Sequence, residues 1–233
     1  MPGLSGRSGA NMADYVLVHG AWGGGHQFNR LADDLRQAGH RVLIAQLTGL
    51  GARAHLASPA IDLALHVHDV VAQIESTGMN DLVLAGHSYG GMVISGVASE
   101  LGKRIAHLVY VDAFLPQDGQ SLWDVVGEFE HEHYIAGQRG TPGLVAPLPG
   151  LDVAGLTHHP LLTLIQPVKF SGQEASIARR SYIFASGWDH SPFGQFYDRV
   201  KHDPAWEVHV LDCGHFVMGD KPDELRAILL GAA

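Results

Sequence analysis

The chain has 233 residues, 46% hydrophobic and 17% charged, which suits one large core and is too little charge for a disordered polymer. Fifteen Lys+Arg against 24 Asp+Glu leave a formal charge of −9, which repels phosphate backbones and argues against a nucleic-acid partner. The lone cysteine, Cys213, excludes an intrachain disulfide and fits a reducing cytoplasm, and no apolar run approaches the roughly 20 residues of a membrane span.

The first stretch, MPGLSGRSGANMA, is rich in glycine and serine and lacks the apolar h-region of a secretion signal, so residues 1–13 are expected to be a flexible leader. From Asp14 the pattern changes. YVLVHG (15–20) is a short β-branched run closed by glycine and reads as a buried strand. Phe28, Leu31 and Leu35 then recur at helical spacing, with Gly39 as the stop. RVLIAQL (41–47) is the second strand, 48–60 a loop, and Leu63, Val67, Val70, Val71 and Ile74 mark one face of a second helix.

Strand DLVLAG (81–86), a helix over 90–102 and strand HLVYVDAF (107–114) follow. Residues 115–180 break the rhythm with six prolines and weak periodicity. Order returns with strand SYIFAS (181–186), a helix over 194–201, strand EVHVLDCG (207–214) and a last helix over 221–231. Alternating strands and helices, with little polar alternation in the strands, predict a mostly parallel sheet covered on both faces. The expected architecture is an α/β core of residues 14–114 and 181–233, interrupted by a cap insertion over 115–180.

Gly86-His87-Ser88-Tyr89-Gly90 fits G-x-S-x-G between a predicted strand and a predicted helix, the context in which that motif carries a nucleophile. A serine on so sharp a turn is held in a strained backbone with its hydroxyl raised off the sheet, and small neighbours are needed where the chain segments nearly touch. A serine hydroxyl is inert near neutrality without a base in reach. His215, in the loop after the last strand, is the candidate base. His87 is closer in sequence, but on so tight a turn it is expected to pack beneath Ser88.

VLVHGAW, LTGLG, GHSYGGMV, YVDAFLP and GHFVM…KPDEL together resemble the α/β-hydrolase superfamily, most closely its compact esterase branch of bacterial ester and pyrethroid hydrolases, plant methyl esterases and plant hydroxynitrile lyases. The resemblance spans 14–114 and 181–231 and implies an α/β-hydrolase fold. It also implies an oxyanion hole formed by the backbone N–H groups of Tyr89 and Ala21. Trp22 is a pocket wall or a core residue. Trp22, Trp123, Trp188 and Phe216 are the expected substrate contacts.

Two carboxylates compete to orient His215. Asp112 ends the strand directly after the nucleophile's helix, where haloalkane dehalogenases and pancreatic-type lipases place theirs. Asp189 ends the next strand, where most of the superfamily places it. Asp112 is favoured, because a charged residue inside an apolar strand end needs a partner, and Asp189 is the alternative.

The resemblance implies a carboxylesterase-type serine hydrolase acting on aromatic or medium-chain small-molecule esters. No cofactor, metal or membrane is expected to take part, and a homodimer is allowed. The histidine pairs His66/His68, His131/His133 and His158/His159 lack H-E-x-x-H spacing and read as unconnected with metal. Three alternatives share the fold: a hydroxynitrile-lyase-type C–C lyase, a receptor-like binding protein and a cofactor-free dioxygenase. The first is disfavoured. The plant lyases use a threonine after the oxyanion-loop histidine and a lysine after the catalytic one, where this chain has Gly20 and Phe216.

Overall fold

A computed structural model describes residues 12–151, 153–189 and 191–233. Of the expected leader, residues 1–11 therefore lie outside the described residues. In chain order the elements of the first half are β1 (Asp14–Val18), α1 (Asn29–Gln37), β2 (Arg41–Ile44), α2 (Leu63–Thr77), β3 (Leu82–Ser88), α3 (Gly90–Leu101) and β4 (Ile105–Ala113). Within 115–180 lie α4 (Glu128–Ala136), β5 (Leu144–Val145), β6 (His159–Pro160) and α5 (Leu162–Ile165). The chain ends with β7 (Arg179–Ala185), α6 (Gly194–Val200), β8 (Glu207–Leu211), α7 (Val217–Asp220) and α8 (Pro222–Gly231).

Six strands form one parallel sheet in the order β2-β1-β3-β4-β7-β8, so the chain starts near the centre, winds to one edge and returns to build the other. The period-2 geometry of a strand sends neighbours to opposite faces. Val16, Val18, Leu82, Leu84, Leu108 and Tyr110 pack with α2 and α3 on one side. Tyr15, Leu17, Val83, Ala85, Val109 and Val111 pack with α1 and α8 on the other. The edge strands β2 and β8 are the most open, and Val210 of β8 is half exposed.

Local chemistry sets the helix ends. The Asp62 side chain accepts from Leu65 N–H to cap α2 at its start, and Gly78, at φ 66°, ends it. Pro222 opens α8, with Asp223 and Glu224 in its first turn against the positive end of the dipole. The buried side chains of 115–180, Leu122, Tyr134, Val145, Leu164 and Val168 among them, join the cluster on the α2/α3 face. Val145 and His159 bond Trp22 just beyond the end of β1, while Ser171 bonds Ser99 near the far end of α3, so the segment runs from the strand ends down the outside of α3.

Candidate active site

β3 ends at Ser88 and α3 begins at Gly90, leaving Tyr89 alone to turn the chain. Ser88 has φ 56°, a left-handed backbone that non-glycine residues seldom adopt. The flanking glycines permit it: a Cβ on Gly86 would lie 2.6 Å from the Gly90 carbonyl oxygen, and one on Gly90 2.6 Å from that of Val18. Ser88 lines the cavity described below and is only partly buried.

The neighbouring strand carries a matching irregularity. His87 pairs with Val111 but Ser88 pairs with Ala113, so Asp112 is the extra residue of a bulge, with φ 40°. A bulge re-aims a side chain that regular pleating would send elsewhere. Asp112 is fully buried, with Oδ1 accepting from Ala185 N–H at 3.1 Å and Oδ2 2.7 Å from Nδ1 of His215. Asp189, the alternative partner, is exposed at the rim of the cavity and makes no bond to His215.

His215 follows β8, and its carbonyl accepts from both Val217 N–H and the ring of His87 (2.9 Å each). His87 is buried beneath the elbow, its ring centroid 4.5 Å from that of His215. Trp188 and Phe193 stack on the His215 imidazole at 5.1 and 4.9 Å. Burial pushes the Asp112 carboxyl up to about 7, against the pull of the Ala185 N–H, and pushes His215 down to about 4. Burial likewise lowers His87 to about 3. A neutral His215 donating Nδ1–H to Asp112 leaves Nε2 as a proton acceptor on the cavity side.

The loop after β1 forms the opposite wall. Gly20 sits so close to the elbow that a Cβ there would lie 2.9 Å from Ser88 Cβ. Trp22, next to Ala21, also has a left-handed backbone at φ 58°. Of four non-glycine residues at positive φ among the described residues, three are therefore Trp22, Ser88 and Asp112. Neither the Ala21 nor the Tyr89 N–H is used in the turn and loop hydrogen bonds of the described residues.

These walls enclose a cavity of about 650 Å³. Of the expected contacts, Trp22, Trp188 and Phe216 line it, together with Ala21, Ser88 and His215. Trp123 does not. It stacks on His131 at 3.9 Å and lines a separate groove beside Ile135 and Leu161. Sequence reasoning missed Phe114, Tyr134, Leu148, Leu151, Val153, Leu156 and Phe193, which supply much of the apolar lining. Phe193 had a readable signal, lying five residues beyond Trp188 in the same loop. Among the described residues, Glu128, Glu130 and Asp189 are the charged lining residues, with no lysine or arginine.

The histidine pairs separate. His66 and His159 are buried and His68 and His158 exposed, while His131 and His133 bond the carbonyls of Trp123 and Ala146. Among the described residues no three His, Cys, Asp or Glu side chains converge to hold a metal, and no helix is long and apolar enough to cross a membrane.

The model of the Alpha/beta hydrolase family matches residues 15–228. The carbendazim hydrolyzing esterase of Nocardioides sp. is 40% identical over 92% of this chain and 97% of its own length. Methylesterase 7 of Arabidopsis thaliana is 24% identical over 96% and 97%. Among solved structures, an extracellular alpha/beta-hydrolase from a Paenibacillus species superposes with a TM-score of 0.80 at 21% identity, covering 95% of this chain and 99% of that one. With a parallel sheet, a strained serine between strand and helix, and a family match over nearly its whole length, the chain belongs to the alpha/beta hydrolase family.

Proposed function

We propose that the protein hydrolyses small-molecule carboxylic esters through a Ser88-His215-Asp112 triad and an acyl-enzyme. The observation that carries this reading is the meeting, at one cavity, of a strained Ser88 with a His215 whose Nδ1 is held 2.7 Å from a buried carboxylate. In the proposed reaction His215 Nε2 takes the Ser88 hydroxyl proton as Oγ attacks the ester carbon. The developing oxyanion is received by the Ala21 and Tyr89 N–H groups. As the C–O bond breaks, His215 returns the proton to the leaving alcohol. Water then repeats the cycle, releasing the acid and regenerating Ser88.

The resemblance to a relative whose name specifies carbendazim hydrolysis supports an esterase. The lining supports a neutral, flat or medium-chain substrate, since aromatic and leucine side chains dominate and the charges among the described lining residues are carboxylates. Those carboxylates would also repel the acid product. The segment 115–180, acting as a cap, supplies much of the selectivity-determining wall.

Ser88→Ala and His215→Ala each test the reading with a chromogenic ester. Each is expected to lose about 10⁶ in kcat, and the double variant to be scarcely worse, because the two act as a unit. Most of the activity surviving in Ser88→Ala would overturn it.

A further inference from the structure

We infer that His159 is a positioning residue for the oxyanion hole: from the 115–180 segment it grips the Trp22 N–H and so fixes the direction of the adjoining Ala21 N–H. The inference rests on the ester-hydrolase reading and adds a residue outside the triad.

Trp22 adopts a backbone conformation that an L residue holds only when its surroundings enforce it. The restraints come from one segment. Trp22 N–H donates to His159 Nδ1 at 3.2 Å, its indole N–H donates to the Val145 carbonyl at 3.0 Å, and its carbonyl accepts from Thr157 N–H at 2.8 Å. The two peptides flanking Ala21 are each pinned, the first by His19 and the second by His159 and Gly23. His19 Nδ1–H donates to the Gly20 carbonyl at 2.9 Å, so the planar trans peptide turns the Ala21 N–H the opposite way. The next peptide is held at both ends, its Ala21 carbonyl by Gly23 N–H at 2.7 Å and its Trp22 N–H by His159. One direction is left for the Ala21 N–H.

His159 is built to be an acceptor. It is fully buried, and burial beside His66 and His19 holds its pKa well below the ordinary histidine value, so it stays neutral. Its Nε2–H donates to Thr163 Oγ1 at 2.6 Å, and that hydroxyl donates to the Pro160 carbonyl at 2.7 Å. This chain selects the tautomer with a bare Nδ1 facing Trp22. The same ring meets the Tyr89 ring edge-on at 4.8 Å, and the Tyr89 hydroxyl donates to His66 Nδ1 at 2.9 Å. One imidazole therefore touches the residues on both sides of the hole. A histidine that merely filled space would be replaceable by leucine; this one has a bond that leucine lacks.

The test compares His159→Leu and His159→Asn, whose Oδ1 restores an acceptor near the Nδ1 position. Turnover of p-nitrophenyl butyrate is read alongside the affinity for two probes: phenylboronic acid, which forms a tetrahedral adduct on Ser88, and benzyl alcohol, which occupies the cavity without a bond. His159→Leu should lose about 10²-fold in kcat, and comparably in boronate affinity, as expected of a misplaced oxyanion donor, with KM and alcohol affinity within about threefold. His159→Asn should recover to within about tenfold of the parent. A normal kcat in folded His159→Leu, or a loss shared equally by benzyl alcohol, overturns the inference. If His159→Leu does not fold, Thr163→Val decides. It frees Nε2–H while keeping the ring, and should lower kcat about threefold to tenfold at unchanged KM; an unchanged kcat overturns the inference. A parent enzyme without Ser88-dependent turnover would instead sink the ester-hydrolase reading itself.

Discussion

Replacing Asp112 by asparagine changes one atom of a buried group whose two oxygens have different partners. Oδ1 accepts from Ala185 N–H at 3.1 Å, and Oδ2 faces His215 Nδ1 at 2.7 Å. The amide must keep its oxygen toward Ala185, since the opposite orientation would oppose two donors. Its NH₂ then points at Nδ1, and His215 is forced to accept there and carry its proton on Nε2. That tautomer has no lone pair for the Ser88 proton. A comparable substitution in another triad costs about 10⁴ in kcat, or ~5.4 kcal/mol of transition-state stabilisation. Burial already resists charge on Asp112, so the neutral amide should not unfold the protein. At pH ~8 the shift in Tm should stay within about 4 °C, the equivalent of ~1 kcal/mol in a chain of this size. Initial rates on a chromogenic ester, with a thermal melt on the same sample, measure both. Asp189→Asn is the control: exposed and unbonded to His215, it should remain within about tenfold of the parent, or ~1.4 kcal/mol. A folded Asp112→Asn retaining a tenth of the activity, or an inactive Asp189→Asn, would refute the reasoning.

Activity requires Asp112 ionised and His215 neutral, so kcat/KM should rise as the pair loses its last proton and level off above about 7, where burial has moved the carboxyl; a rate that falls from pH ~6 to ~8 would contradict this. Stability should behave differently. His19 is lowered to about 4 and His87 to about 3, and His66 and His159 are lowered too, all led by burial. Below about 6.5 the unfolded chain therefore binds more protons than the folded one, and the urea midpoint should fall as the pH falls; the Asp112–His215 pair adds little, its raised carboxyl and lowered imidazole acting in opposite senses. A midpoint unchanged between pH ~7.5 and ~5 would refute that accounting. Gly90→Ala would place a Cβ 2.6 and 2.9 Å from the backbone oxygens of Val18 and His19, and should cost about 1–3 kcal/mol or more and disable the elbow, checked by denaturation and rate. Dialysis against a chelator should leave the rate unchanged, and a loss restored by zinc would reopen the histidine pairs.

The core was legible because its strands are buried on both faces and so carry unbroken apolar runs, as in Tyr15–Val18 and Leu82–Ala85. The edge strand β8 carries His209 among valines and is half open, which the expectation of covered faces did not distinguish. Ser88 and His215 were readable from motif and position. Asp112 stood out as a charge in an apolar strand end, and the bulge that turns it toward His215 depends on register with β3, which one strand's sequence does not encode. Segment 115–180 was least legible. Its faces are set by what it packs against, so Trp123 lines a separate groove while Leu148, Leu151 and Leu156 line the cavity. His158 and His159 look equivalent in sequence, but the extended chain buries only the second, and its partner, Trp22, lies 137 residues away.

The covalent step is the central claim, and trapping it tests the claim most directly. The protein would be rapidly quenched during turnover of p-nitrophenyl butyrate, its intact mass measured, and the modified peptide sequenced. The account predicts a burst of one nitrophenol per chain and one butyryl group on Ser88, with neither burst nor adduct in Ser88→Ala. Steady turnover with no adduct on Ser88, or an adduct on another residue that Ser88→Ala leaves intact, would contradict it.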